Sequence, residues 1–366
     1  MKDYRAAVLR QKSGRFGIEQ IKMERPRPRE VVVKIAGVGL CHTDLVVREG
    51  HYPIPFPMVL GHEGSGVVET IGSDVTSVAP GDHVVLSFGF DSQCKTCLNG
   101  APAYSRQFFV RNFSGRRPDG TTPLTDTNGQ DLSAYFFAQS SFGEYAMAPE
   151  ESVVKIDPDV PLELMGPLGC GIQTGAGAVM NALACRPGSS IAVFGAGSVG
   201  LAAVLAARAV GCTEIIAVDL IQHRLDIARH MGATHAIDGG SEDAVARIVE
   251  ITDGGAQYAL DCTGVPAVVR QSVECLRLTG MAGLLGVPQP GAELTLELRT
   301  LLSGRGIRGI IEGDSVPRSF IPELVALWKS GRFPFDKLIK TYRLEDIEEA
   351  VRASESGEVV KAVLIP

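Results

Sequence analysis

Residues 189–200 read SSIAVFGAGSVG, an apolar run followed directly by the pattern Gly-x-Gly-x-x-Gly. The apolar half predicts a strand, and the residues that follow, up to Val210, predict an alanine-rich helix. Gly195 permits the tight turn, Gly197 lets a pyrophosphate approach the backbone, and Gly200 lets helix and strand pack closely. The stretch therefore predicts a nucleotide-binding turn between a strand and a helix.

The residues after this turn continue the alternation of strand and helix. Further strands are predicted over 214–219, 236–238, 258–261 and 281–287, with helices over 222–231 and from about residue 242. Such alternation is typical of a parallel sheet covered on both faces, the doubly wound or Rossmann arrangement. This half of the chain is therefore predicted to be an α/β domain.

Asp219 stands at the end of the second predicted strand, about 20 residues beyond the glycines, where the fingerprint expects an acidic residue. Its carboxylate would accept hydrogen bonds from the adenosine ribose and would repel a 2′-phosphate. The pattern therefore favours NAD over NADP. A glycine-rich turn beside a surface aspartate is the alternative interpretation of the same residues.

The first 150 or so residues have a different pattern. Short β-branched runs at 31–35, 66–71 and 84–86 are separated by glycine and proline, which predicts a β-rich domain. Residues 111–133 are polar and glycine-containing, and we expect them to form a long surface loop.

Three residues in and around the β-rich part offer a soft ligand set for a metal. His62 lies in the run Gly61-His62-Glu63, while Cys41 and Cys170 stand far from it along the chain. Two thiolates and one imidazole suit Zn²⁺, and three protein ligands leave a position open for water or substrate. Each residue by itself could equally be an ordinary buried side chain.

Composition narrows the class of protein. The chain has 366 residues and a formal net charge of −7, with no dense basic block, which argues against a nucleic-acid partner. No apolar run approaches the length of a membrane span, and the N-terminus lacks the apolar core of a secretory signal, so cytoplasmic residence is expected. Eight cysteines in a chain of this length indicate metal ligands and small core residues rather than disulfides.

These motifs together resemble the zinc-dependent medium-chain alcohol dehydrogenases over essentially the whole chain. The resemblance rests on Gly61-His62-Glu63 with Gly66, Cys41-x-Thr43-Asp44, Gly169-Cys170-Gly171 and the glycine fingerprint. Residues 102–104 and 111–115 look most like the aryl (benzyl) alcohol dehydrogenase branch. The resemblance implies a GroES-like catalytic domain over 1–171 and 314–366, and an NAD-binding Rossmann domain over 172–313.

The resemblance also implies roles for residues at the metal. Cys41, His62 and Cys170 match the ligands of one catalytic zinc. Thr43 matches the hydroxyl that takes the substrate proton, and Asp44 matches the carboxylate that orients the ligand histidine. Glu63 matches a carboxylate behind the metal that can ligate it transiently.

Cofactor contacts are implied in the same way, beyond the glycines and Asp219. His42 matches a position beside the pyrophosphate, and the other matching positions are Thr174, Val199, Arg224, Val287 and Lys361. Substrate-lining positions are matched by Phe88 and Phe136, with Tyr52 and Phe137 as further candidates. An aromatic slot favours flat apolar alcohols or aldehydes, although these rings could equally be core packing.

Two features depart from the family pattern: the proton relay and the second cysteine set. Val46 stands where the family often has a relay histidine, so the proton would leave through cofactor hydroxyls or through His42 or His51. The family's four structural-zinc cysteines correspond to Asp91, Cys94, Cys97 and Ser105. Because a serine hydroxyl is a poor zinc ligand, we expect this second zinc to be absent or weak.

The sequence thus predicts a zinc- and NAD-dependent dehydrogenase of aryl or allylic primary alcohols, assembled as a homodimer or homotetramer. A polyol or secondary-alcohol dehydrogenase of the same superfamily is one alternative. A nucleotide-binding protein without catalysis is another, although such a protein would not need Cys41, Thr43, His62 and Cys170.

Overall fold

The computed structural model describes residues 2–366, which divide into two compact units. The first unit contains the described residues up to Cys170, together with Val316–Ala326 and Asp336–Pro366. The second unit contains Gly171–Ser315 and Leu327–Phe335. No helix within residues 2–366 is long and apolar enough to cross a membrane.

The first unit is built mainly from strands. Its strands before Cys170 are β1 (Lys2–Leu9), β2 (Phe16–Met23), β3 (Glu30–Gly39), β4 (Met58–Val59), β5 (Gly64–Ile71), β6 (His83–Leu86), β7 (Leu124–Asp126), β8 (Asp131–Leu132), β9 (Tyr145–Pro149) and β10 (Val153–Lys155). Its helices there are α1 (His42–Arg48), α2 (Lys95–Leu98) and α3 (Phe108–Phe113). A five-stranded sheet has the order β4-β1-β2-β7-β8.

The second unit carries the alternating elements. They are α4 (Gly171–Gly177), β11 (Ser190–Phe194), α5 (Ser198–Val210), β12 (Glu214–Asp219), α6 (Gln222–Met231), β13 (His235–Asp238), α7 (Ala244–Ile251), β14 (Ala256–Asp261), α8 (Pro266–Glu274), β15 (Leu276–Leu284), α9 (Leu298–Leu302) and β16 (Gly306–Gly309). The six strands form one parallel sheet in the order β13-β12-β11-β14-β15-β16. The predicted Rossmann-type α/β fold is confirmed, and its strand order reverses between β11 and β14, where such sheets bind ligands.

The chain after Ser315, apart from Leu327–Phe335, returns to the first unit and completes its larger sheet. Its elements are α10 (Pro317–Lys329), β17 (Ile339–Arg343), α11 (Ile347–Glu355) and β18 (Lys361–Ile365). The completed sheet has the order β10-β6-β5-β3-β18-β17, with β9 also paired to β3. Most residues of β3 are buried, and its sequence is nearly continuous in apolar residues.

The prediction of a long surface loop over residues 111–133 was wrong. The segment begins in α3 and contributes β7 and β8 to the five-stranded sheet. Arg117 is only 4% exposed, and its Nε and Nη2 donate to the Glu30 carboxylate at 2.6 and 2.9 Å. A buried charge is tolerated when it is paired, so polar composition by itself misled the prediction.

Candidate active site

The turn before β5 shapes the metal cluster. Gly61 has φ +87°, and a Cβ there would lie 2.5 Å from Phe142 Cδ1, so both the backbone conformation and the space require glycine. The turn directs the next two residues, His62 and Glu63, into the interior, where both are fully buried. The sequence Gly61-His62-Glu63 therefore brings an imidazole and a carboxylate to one buried point.

Four side chains of the first unit meet at that point. Cys41, His62, Glu63 and Cys170 each offer a ligand atom, and all four atoms lie within 4.8 Å of one another. Cys41 precedes α1, and Cys170 follows a short 3-10 turn over Gly166–Gly169. Sulfur and nitrogen donors at this spacing fit a zinc ion.

Asp44 fixes two of the ligand-bearing segments. Its Oδ2 accepts the backbone N–H of Cys41 at 3.0 Å, and its Oδ1 accepts that of Gly61 at 3.0 Å. The same Oδ1 lies 3.1 Å from His62 Nδ1. A fully buried carboxylate thus sets the orientation of the imidazole as well as the backbone on either side of the cluster.

The hydrogen bonding of His62 and the ionisation of Cys41 indicate whether these residues suit a metal ion. Among residues 2–366, His62 Nε2 is buried without a hydrogen-bond partner. Since Nδ1 faces the Asp44 carboxylate, a neutral ring would carry its proton there and leave the Nε2 lone pair free for a cation. The neighbouring Cys170 sulfur and the His62 ring hold the pKa of Cys41 well below its usual value despite burial. An orphaned imidazole nitrogen beside a readily ionised thiol is what a zinc site requires.

Glu63 has a cationic partner. Lys361 Nζ lies 2.9 and 3.0 Å from the two Glu63 carboxylate oxygens and donates to Leu40 O at 3.1 Å. Burial raises the pKa of Glu63, while the Lys361 charge opposes that rise. The resemblance implies a cofactor contact for Lys361, and in the structure its ammonium is bound to the Glu63 carboxylate and to Leu40 O. The sequence analysis named Lys361 but did not predict its pairing with Glu63; the available signal was a single lysine at the start of the otherwise apolar strand Lys361–Ile365.

Thr43 lies at the edge of the cluster. Its Oγ1 is 3.7 Å from Cys41 Sγ, and the residue is partly exposed on the first turn of α1. Val46 is also partly exposed on α1, and the two histidines considered for proton exit, His42 and His51, are exposed.

Aromatic rings form a wall against His62. Phe137 stacks on the imidazole with ring centroids 4.4 Å apart, and Phe136 meets it edge-on at 5.1 Å. Phe113 contacts Phe137 at 5.1 Å, and Tyr52 stacks on Phe113 at 4.4 Å. Phe136 and Tyr52 therefore belong to one continuous set of rings that includes His62, and Phe113 is a member that sequence reasoning did not identify.

Phe88, the remaining predicted pocket residue, is fully buried and packs elsewhere. Its ring contacts Phe108 at 5.8 Å, and Phe108 in turn contacts Phe137 at 6.5 Å. The ring of Phe88 therefore joins the set of rings at His62 through Phe108 and Phe137.

The segment that carries this wall has unusual backbone geometry. Tyr135, Phe137, Ala138 and Ser140 all have φ between +48° and +69°, a region that costs non-glycine residues free energy. The Gln139 amide holds the segment, because its Nε2 donates to His62 O at 2.9 Å and its Oε1 accepts from Gly64 N at 3.1 Å. Gln139 therefore connects the aromatic wall to the ligand-bearing turn, a link that the sequence pattern did not indicate.

The glycine fingerprint of the second unit has the geometry that its spacing predicts. Gly195 follows β11 with φ +93°, and a Cβ on Gly200 would lie 1.9 Å from Gly195 O. Around Gly197, in contrast, an added Cβ would have no described atom within 4 Å apart from those of Gly197 itself and its two chain neighbours. The space over Gly197, at the start of α5, fits the phosphates of a dinucleotide.

Asp219 closes this turn at the end of β12. Its Oδ2 accepts from Ala196 N at 2.6 Å, and its Oδ1 accepts from Ile221 N at 2.9 Å. The carboxylate is only partly buried. It is thereby fixed beside the glycine turn, where an adenosine ribose would lie in a Rossmann sheet.

The other predicted cofactor residues are distributed over both units. In the second unit, Thr174 Oγ1 donates to Glu312 Oε2 at 3.4 Å, Val199 is on the first turn of α5, and Val287 is 58% exposed. Arg224 is on α6, and its buried Nε has no hydrogen-bond partner among residues 2–366.

Residues 91–105 contain the remnant of the family's second cysteine set. Asp91 Oδ1 accepts from Gln93 N at 3.0 Å, and its Oδ2 lies 3.4 Å from Arg106 Nε. Ser105 Oγ accepts from Asp91 N at 3.1 Å. Cys94 and Cys97 lie close together, with their sulfur atoms 2.7 Å apart.

Comparison with known proteins agrees with this geometry. Residues 27–158 match the alcohol dehydrogenase GroES-like domain, and residues 198–330 match the zinc-binding dehydrogenase domain. A geraniol dehydrogenase of Castellaniella defragrans is 47% identical over 363 residues, which cover 98% of this chain and 97% of that protein.

Two crystal structures share the whole fold. A benzyl alcohol dehydrogenase from Acinetobacter calcoaceticus superposes with a TM-score of 0.97 at 47% identity, and covers 100% of this chain and 99% of its own. An alcohol dehydrogenase zinc-binding domain protein from Burkholderia ambifaria gives 0.99 at 52% identity with the same coverage. Together with the buried Cys41, His62, Glu63 and Cys170 cluster, these matches establish that the chain is a zinc-binding enzyme of the medium-chain alcohol dehydrogenase family.

Proposed function

We propose that this enzyme oxidises primary alcohols that carry an aryl or allylic group next to the hydroxyl-bearing carbon, and passes the hydride to NAD to give the aldehyde. The observation that carries the proposal is the wall of aromatic rings, in which Phe137 stacks directly on the ligand residue His62. A flat wall beside the reacting position favours a planar, apolar group. Two relatives at 47% identity are named for geraniol and benzyl alcohol, which are allylic and aryl alcohols.

Cys41, His62 and Cys170 would hold the zinc, with Glu63 behind it. When bound there, zinc supplies a Lewis acid that lowers the pKa of an alcohol hydroxyl. Asp44 keeps the imidazole oriented, and Lys361 holds Glu63 so that its charge is balanced in the interior. These two residues position the ligands and have no contact with substrate in this scheme.

Thr43 accepts the alcohol proton in this proposal. Its hydroxyl lies 3.7 Å from Cys41 Sγ, so a substrate oxygen at the open side of the cluster would be within its reach. Because Val46 cannot carry a proton, the exit passes through cofactor hydroxyls, and the exposed imidazoles of His42 and His51 are candidate acceptors.

The second unit would bind the dinucleotide at the turn Gly195–Gly200, with the pyrophosphate over Gly197 and the adenosine ribose on Asp219. Bound NAD supplies the hydride acceptor. The Asp219 carboxylate would repel a 2′-phosphate, so NAD is preferred to NADP. Further contacts from His42, Thr174, Val199, Arg224 and Val287 belong to this proposal.

A steady-state survey tests the function. Benzyl alcohol, cinnamyl alcohol and geraniol should reduce NAD with far higher kcat/KM than sorbitol, threonine or 2-propanol, and NADP should be a poor acceptor. A metal assay should find about one zinc per chain. Turnover of sorbitol or threonine without benzyl alcohol activity would show a polyol or secondary-alcohol dehydrogenase instead, and NADH binding without any turnover would show a non-catalytic protein.

A pair of matched variants tests the aromatic wall. Phe137→Leu removes the ring stacked on His62 and should lower kcat/KM for benzyl alcohol about three- to tenfold relative to 1-butanol, since an aromatic pair is worth about 0.5–1.5 kcal/mol. Phe88→Leu removes a buried ring that packs on Phe108 instead of stacking on His62, and it should change the ratio of the two substrates much less. An equal response of that ratio in both variants would argue against the wall as the source of specificity.

The family pairs cofactor domains, and we propose a homodimer or homotetramer for this chain. Light scattering of the purified enzyme distinguishes these states from each other and from a monomer.

A further inference from the structure

Cys94 and Cys97 form a pair of sulfur atoms that the catalytic scheme does not use. Both lie in the segment between β6 and α3. Cys94 is the N-cap of the one-turn helix α2, and Cys97 lies within that helix. Their sulfur atoms are 2.7 Å apart in the Cys-x-x-Cys sequence Cys94-Lys95-Thr96-Cys97. Two thiols this close need little backbone movement to form a bond.

The residues near this pair do not supply the further sulfur, nitrogen or carboxylate ligands that a zinc ion would need. The Asp91 carboxylate accepts from Gln93 N and pairs with Arg106, so both of its oxygens have other partners. Ser105 contributes a hydroxyl, which lies 3.8 Å from Cys94 Sγ and is a poor zinc ligand. The chemistry open to the two sulfur atoms is therefore that of a dithiol.

The two thiols are not equivalent. Burial by itself raises the pKa of Cys94, but hydrogen bonds from Cys97 and Thr96 outweigh it and lower the pKa to about 6. The contacts are Thr96 Oγ1 at 3.1 Å and the backbone N–H of Cys97 at 3.4 Å. Burial and the neighbouring Cys94 raise the pKa of Cys97, which is only partly buried. Cys94 is thus the nucleophile of the pair, and Cys97 is the thiol that can resolve its oxidation product.

We propose that Cys94 and Cys97 are a reversible dithiol–disulfide site that reacts with hydroperoxides. The Cys94 thiolate attacks one oxygen of hydrogen peroxide, the O–O bond breaks, and the leaving hydroxide takes a proton to become water. Cys97 sulfur then attacks the Cys94 sulfenic acid; the S–S bond forms, the S–O bond breaks, and the hydroxide leaves as water with the Cys97 proton. Two thiols are oxidised and one peroxide is reduced to two waters.

Peptide mapping of the zinc-loaded enzyme tests the proposal. Trypsin cleaves after Arg48, Lys95 and Arg106, so Cys94 and Cys97 fall on the separate peptides 49–95 and 96–106. After one equivalent of hydrogen peroxide and alkylation of remaining thiols, we expect these peptides to be joined, at a mass two hydrogens below their sum. Dithiothreitol should separate them again. Cys275, which is fully buried, serves as the control and should stay a free thiol.

Single variants give the second arm of the test. In Cys97→Ser, Cys94 has no resolving thiol, so one equivalent of peroxide should leave it as a sulfenic acid that dimedone traps, and a second equivalent should oxidise it to the sulfinic acid. In Cys94→Ser, Cys97 should stay reduced. Two results would overturn the proposal: separate, unmodified peptides after peroxide treatment of the parent enzyme, or a second zinc per chain that disappears in both variants and shields the thiols.

Discussion

The zinc-ligand cluster and the segment 91–105 both contain two cysteines within the first unit, yet they have different surroundings. At the zinc-ligand cluster, Cys41 and Cys170 meet an imidazole and a carboxylate from a third part of the chain, all within 4.8 Å. In segment 91–105, Cys94 and Cys97 come from one turn, and the carboxylate nearby is paired with Arg106.

The difference shows which surrounding groups let cysteines form a zinc-binding site. The cluster has a full set of supporting groups, because Asp44 orients His62 and Lys361 balances Glu63. It also keeps a buried imidazole nitrogen free of hydrogen bonds within residues 2–366. Segment 91–105 has neither, so its sulfur atoms remain available to each other. Four variants sharpen this comparison.

The largest effect is expected from His62→Ala. Removal of the imidazole should abolish stable zinc binding and lower kcat/KM by at least about a thousandfold, since a metal Lewis acid supplies several kcal/mol and about 1.4 kcal/mol corresponds to tenfold. Zinc content and NAD reduction by benzyl alcohol are the measurements. The exposed His230→Ala is the control and should keep both. Full activity in metal-free His62→Ala would contradict a catalytic role for the cluster.

Lys361→Met should strongly destabilise the fold. It leaves the Glu63 carboxylate buried without its cation, which typically costs about 3–5 kcal/mol of the free energy of unfolding. Urea unfolding of the zinc-loaded enzyme measures this. Glu63→Gln combined with Lys361→Met should recover much of the loss, because no unpaired charge remains. Lys340→Met is the matched control, since its partner Glu358 and Lys340 itself are exposed, and it should cost less than about 1 kcal/mol.

Asp44→Asn should weaken zinc binding about 10- to 100-fold while the ligands remain in place. The amide cannot accept from His62 Nδ1, Cys41 N and Gly61 N as a carboxylate does. Competition with a chelator, followed by the loss of activity with time, measures the effect. Asp131→Asn, at an exposed position, should behave as the parent enzyme. Unchanged zinc affinity in Asp44→Asn would show that the cluster needs no supporting carboxylate.

The smallest effect is expected in segment 91–105. The double variant Cys94→Ser with Cys97→Ser should keep kcat/KM for benzyl alcohol within about twofold, because changes away from a site's supporting groups are usually small. Its zinc content should equal that of the parent enzyme. A loss of one zinc per chain in this variant would show that segment 91–105 also binds zinc, as the first cluster does.

Much of the fold follows from local patterns. The glycines of 195–200 and the apolar runs around them predict the parallel sheet, because a turn of this type has few alternatives. Cys41, His62 and Cys170 were identified by ligand chemistry and family resemblance, and the structure brings them together with Glu63.

Other features could not be predicted because they depend on pairing between distant residues. The polarity of 111–133 suggested a surface loop, whereas Arg117 is buried against Glu30 from β3. Lys361 meets Glu63 only because β18 pairs with β3. The Gln139 bridge to His62 requires a run of left-handed residues that sequence propensities disfavour.

The sequence by itself determined the fold class, the family and the residue types able to bind zinc, because these depend on short motifs with local physical reasons. The tertiary structure decided which charges are balanced, which ring lies on His62 and which cysteines lack a ligand set. Those properties depend on burial and on contacts between segments far apart in the chain. A buried charge or hydrogen-bond donor is stable only if the fold supplies its partner.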